Sequence, residues 1–176
     1  MNFDIYKSNK KEDNILLQGL LTVIIMILLS FLIMGITFAF SSAHLNPPLF
    51  RSYLASKGIM LMNIIPIFIF MSSAYILLNR LWLSFTLTSI LFVTMSIINK
   101  FKLTYRDDPF NFTDITLISE SMAMAKRYKI QLNTKMIVLI LGLIVIAILL
   151  KIFFKYNISS KKLRISLLLI IFMISI

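Results

Sequence analysis

The chain has 176 residues, 59% of them hydrophobic and 14% charged, whereas soluble domains are about 45–50% apolar and about 25% charged, so an ordinary soluble fold is excluded. One His (His44), seven carboxylates and no Cys exclude Cys/His zinc sites, thiol catalysis and disulfides. In so apolar a chain the net charge of +11 bears first on membrane topology and lipid contact, with no nucleic-acid partner expected.

A helix needs about 20 mainly apolar residues to cross a hydrocarbon core about 30 Å thick. After a polar tail, residues 1–14, the uncharged stretch 15–40 is long enough to span with some tilt. It is too long, and lacks the small-residue cleavage site, for a signal peptide, so it reads as a retained anchor. His44 follows beside Asn46, Pro47 and Pro48 and reads as an interface residue, since no carboxylate partner stands near it. Residues 58–78 and 81–98 are the second and third spans. Only Asn79 and Arg80 separate them, which makes them an antiparallel hairpin. Pro66 is expected to kink the second span and free a carbonyl near position 62, and Asn63 to form an interhelical hydrogen bond.

The one long polar stretch is 99–135, with seven of the positive residues and four of the acidic ones. Arg106-Asp107-Asp108-Pro109 reads as a turn, because Pro109 keeps Asp108 out of the helical region. From Asp114 the pattern becomes helical. Thr113 or Asp114 suits the amino-terminal cap, Lys126, Arg127 and Lys129 suit the carboxyl end, and Ile115, Ile118 and Met122 recur at helical spacing. An amphipathic helix lying in the interface is expected there. Two readings of this segment stand open. It is a structural connector, or it is a lipid-headgroup site in which Arg106 forks onto a phosphate, Lys100 and Lys102 add charge, and Asp114 or Glu120 orients the arginine.

Residues 136–154 form the fourth span, with Lys151 reaching toward the nearer headgroups. The last stretch, 165–176, has 12 apolar residues, about 18 Å of helix, too short to cross, and is expected either to be a half-buried helix or to be part of a fifth span in a longer protein. The fold class is therefore an all-α polytopic bundle: four full spans, a partial fifth and an interfacial helix between spans three and four. Lys and Arg counts tie at nine on each side. The short 155–164 loop, with four cations in ten residues, tilts the orientation toward a cytoplasmic amino terminus and an extracellular 99–135 segment.

Asn99, Lys102, Arg106, Pro109-Phe110, Asp114, Leu117 and Glu120, followed by Tyr128, fit a pattern NxxKxxxRxxPFxxxDxxLxxE placed after three spans and before two more. In this the chain resembles the amino-terminal membrane domain of the lipoteichoic acid synthase-like family, phosphoglycerol transferases of the sulfatase superfamily. The resemblance covers the chain in topology and about thirty positions in residue detail. It implies the plasma membrane of a Gram-positive bacterium. The partner lipid would be phosphatidylglycerol or a lipid-linked glycerol phosphate, and a large extracellular catalytic domain would carry a Thr nucleophile and a divalent metal, typically manganese. None of those catalytic residues is in this chain. It is therefore expected to bind no cofactor and not to catalyse by itself, and to act as the anchoring, lipid-presenting part of the enzyme. The alternatives are a stand-alone small membrane protein that scaffolds an envelope complex and a transporter component, the latter disfavoured by spans nearly free of ionisable residues.

Overall fold

A computed structural model describes residues 2–41, 55–106, 134–154 and 158. They form four helices: α1 (Asn2–Ser41), α2 (Lys57–Leu78), α3 (Leu81–Arg106) and α4 (Thr134–Phe153), with no strand among the described residues. Each is long and apolar enough to cross a membrane, over Leu17–Phe40, Lys57–Leu78, Leu81–Lys100 and Met136–Phe153. The chain is thus a multi-pass membrane protein by length and composition of its helices. The fifth span and the interfacial helix expected at 165–176 and 114–129 lie outside the described residues, as does His44.

Two helices run further than the hydrophobic pattern alone suggests. The polar residues set apart as a tail are the opening turns of α1, which has 40 residues and measures about 60 Å, twice the hydrocarbon thickness. No Gly or Pro precedes Gly19, so nothing in the sequence stops the helix at the membrane boundary. Likewise α3 continues through residues 99–106. Arg106 is its last helical residue and not part of a preceding turn, because the nearest breaker is Pro109, whose restriction falls on Asp108.

Contacts between helices set their directions. The Ser96 hydroxyl of α3 donates to the Thr37 carbonyl of α1, so the carboxyl ends of both helices lie on one face of the bundle. Lys100 Nζ reaches Met136 Sδ at 3.7 Å, placing the start of α4 on that face too. On the opposite face the Lys151 ammonium sits 5.2 Å from the centre of the Trp82 ring. We call these the distal face and the turn face. Phe70 and Phe92 meet edge to face across the α2–α3 hairpin, with centroids 6.1 Å apart.

Helix α3 is the hub, packing on α1, α2 and α4, while α1 also packs on α2. Of its span, 39% is buried, against 11% for α4, which is therefore peripheral. The core joins Ile33 and Phe40 of α1, Met71 and Tyr75 of α2, and Leu81 and Phe85 of α3. Interleaved with these are fully buried Ser30, Ser84 and Thr88. Each disposes of its hydroxyl proton on its own helix, to Met26 O, Arg80 O and Thr88's partner Ser84 O respectively, so small polar residues let backbones approach without a bare donor in lipid.

Pro66 lies inside an unbroken α2. Met62, whose carbonyl it deprives of an amide partner, is exposed, as is Pro66 itself. Asn63 Nδ2 donates at 2.8 Å to Ile59 O of the same helix from an exposed position. The carbonyl four residues earlier is the acceptor nearest to hand in an apolar solvent.

The α2–α3 turn depends on Asn79. It takes the left-handed conformation (φ 54°) that ends α2, its backbone N–H donating to Tyr75 O at 2.7 Å. Its side-chain amide then grips the main chain of Ile158 from both sides: Nδ2 donates to Ile158 O at 3.2 Å and Ile158 N donates to Oδ1 at 2.8 Å. Asn79→Gly keeps the backbone conformation and loses the grip, at a cost of about 1–2 kcal/mol. Asn79→Ala adds about 1 kcal/mol for a Cβ at positive φ. Thermal unfolding in detergent should rank the melting temperatures wild type, then Asn79→Gly, then Asn79→Ala. Equal values for the three proteins would show that neither contribution holds the turn.

Candidate functional site

The distal face gathers the cations that the sequence singled out. Lys100 closes the apolar part of α3. Lys102 follows half-buried, and Arg106 ends the helix. Because α3 stays helical through 106, residues 99, 102 and 106 recur at three- and four-residue spacing and fall on one stripe of the helix, where a loop would have left their relation open. Lys100 is half-buried beside Met136, its stem lying against apolar surface while its ammonium stands at the membrane boundary.

The structure therefore brings Lys102 and Arg106 together on one helical end, beside Lys100. Asp114 and Glu120 lie outside the described residues, so their proposed orienting role has no geometry here. Both ends of the 107–133 connection are attached to this face, at Arg106 and Thr134. Three cations thus follow one another along the carboxyl-terminal part of the described helix. Such an arrangement offers N–H donors and positive charge at headgroup depth, suited to phosphate oxygens. Among the described residues no three His, Cys, Asp or Glu side chains come together to hold a metal ion.

Two features escaped the sequence reading. One is the Asn79 grip on Ile158, formed between residues 79 positions apart. The other is the meeting of Trp82 with Lys151 at the turn face, beside a groove between α3 and α4. A signal for the second existed in the sequence: an aromatic at the start of one span and a lysine at the end of another fall at the same depth if the two helices are antiparallel.

Comparison with family models, curated proteins and solved structures finds no match.

Proposed function

We propose that the chain is a membrane-anchoring domain that binds anionic lipid at its distal face. Its narrower identity is the lipid-presenting part of a phosphoglycerol transferase resembling lipoteichoic acid synthase. The observation that carries the reading is the cationic end of α3, where Lys100, Lys102 and Arg106 follow one another at the limit of the hydrophobic span. In this reading the distal face is the outer surface of the plasma membrane and the amino terminus is cytoplasmic. Arg106 and Lys102 bind the phosphate of phosphatidylglycerol or of a lipid-linked glycerol phosphate chain. Asp114 and Glu120 orient the arginine, and the bundle fixes the depth at which the lipid is offered. Transfer itself belongs to an extracellular domain with its own nucleophile and metal. The orientation is open to direct measurement.

The absence of Cys from this chain makes that measurement clean, since a single introduced thiol is the only one in the expressed 176 residues. Arg80 and Thr134 are both exposed, on the turn face and the distal face respectively. With Arg80→Cys and Thr134→Cys made separately, an impermeant maleimide added to intact cells should label position 134 and spare position 80. The reverse pattern puts the cationic end of α3 in the cytosol and removes the link to extracellular polymer synthesis.

For the site, phosphatidylglycerol retained by the detergent-purified protein is counted by mass spectrometry. The Lys102→Ala/Arg106→Ala double variant should retain at least fivefold less than wild type, with unchanged helical content, and the loss should shrink at high salt. Unchanged retention sinks the lipid site. In the full reading frame of the organism's gene, Arg106→Ala should lower glycerol-phosphate polymer at constant protein level. Lost retention with normal polymer would instead favour a stand-alone lipid-binding protein of the envelope.

A further inference from the structure

Between α3 and α4, opening at the end of the bundle opposite Lys102 and Arg106, runs a groove of about 550 Å³. Its walls are almost wholly apolar, formed by residues such as Val93 on α3 and Ile140, Ile144 and Ala147 on α4. Its mouth at the turn face is bounded by Trp82 and Lys151. From Lys151 down to Ile140 the α4 wall measures about 16 Å along the helix, close to half of a hydrocarbon core about 30 Å thick. The α3 wall runs further, from Trp82 to Ile97, about 22 Å, so the groove reaches from the turn-face headgroup level past the middle of the core, apolar along its length and cationic at its mouth.

The charge on the groove walls is one-sided. All seven carboxylates of the chain stand at or before Glu120, and none occurs between Asp13 and Asp107, so neither groove wall carries an acid. The connection that continues from α4 adds Lys155, Lys161, Lys162 and Arg164 and again no acid. That connection leads into the apolar stretch 165–176, which would bring like charge toward Lys151 if it filled the groove. An anionic amphiphile brings the opposite charge. Trp82 holds the Lys151 ammonium over its ring face, an arrangement that positions the cation while leaving its N–H donors for an acceptor. Lys151 is exposed, so its head is accessible from the headgroup layer.

We propose that the α3–α4 groove is a binding site for an anionic phospholipid of the turn-face leaflet, with one acyl chain lying in the groove and the phosphate on Lys151. This site is separate from the one proposed at Lys102 and Arg106, uses the other leaflet and stands whether or not that reading holds. It makes the bundle selective for headgroup charge in the leaflet opposite the proposed substrate. It also gives peripheral α4 a lipid as part of its packing surface.

Trp82 is the only Trp in the chain, so its fluorescence reports on the groove mouth alone. The full-length protein is reconstituted into phosphatidylcholine vesicles containing either phosphatidylglycerol or further phosphatidylcholine dibrominated on the acyl chain, at matched bromine content. Quenching should give a relative association about fivefold in favour of the anionic lipid for wild type. Lys151→Arg should keep that ratio and Lys151→Ala should bring it to one. Ala147→Phe, or Ile144→Phe if the first misfolds by circular dichroism, fills the groove without touching the cation and should also bring the ratio to one. Lys102→Ala/Arg106→Ala should leave it unchanged.

A wild-type ratio of one overturns the proposal. So does selectivity that depends on Lys151 but survives both groove-filling variants, since that is surface attraction without a groove. Bromine quenching close to nil with either lipid shows that protein, either residues 165–176 or a second copy, covers the mouth, and overturns it as well.

Discussion

Inside a bilayer an apolar side chain gains nothing by leaving the lipid for a neighbouring helix, so the bundle must be held by close packing and by a few interhelical polar bonds. That constraint explains why the most enclosed positions are mixed. Ile33, Met71 and Phe85 supply dispersion contacts, while Ser30, Ser84 and Thr88 supply room for backbones to approach. Each of these hydroxyls is answered by a carbonyl of its own helix, so none pulls on its neighbour. Among the described residues, bonds that cross between elements sit near the two faces, such as Ser96 to Thr37 and Lys100 to Met136 at one and Asn79 to Ile158 at the other. Packing thus fills the middle of the membrane, and polar bonds fix register near its edges.

The same constraint ranks the helices. Helices α1, α2 and α3 share the core. The fourth is joined to them mainly through α3 and leaves residues such as Val138, Leu141 and Val145 exposed. In water such an exposed row would be a liability. In lipid it costs little, and the space left between α3 and α4 becomes a place for a lipid to fill. A loosely seated helix with a cation at its end is therefore compatible with stability here in a way it would not be in a soluble protein.

Much of the architecture was legible from local composition, because membrane thickness converts directly into a run length. Spans at 15–40, 58–78, 81–98 and 136–154 differ from the observed helices mainly at their polar ends. Those ends misled for one reason: polarity marks where lipid stops, and helix stops only at a breaker. Residues 99–106 are therefore helical although they look like loop, and residues 2–14 are helical although they look like a tail. Of the proposed site, this places Lys102 and Arg106 on a single rigid element, a relation that spacing alone had left undecided. Asp114 and Glu120 fall outside the described residues. What could not be read locally were the pairings of Trp82 with Lys151 and of Asn79 with Ile158, since each depends on helix directions that no window of sequence encodes.

The grip of Asn79 is asymmetric in what it demands of its two participants. The carboxamide holds residue 158 through main-chain atoms, both the N–H and the carbonyl. Proline, which lacks the amide proton, is therefore excluded at 158, while the Ile158 side chain packs against the hydrophobic core and calls for an apolar residue there. Position 79 must combine a left-handed backbone with a carboxamide of one particular length, and asparagine alone among the common residues joins the two.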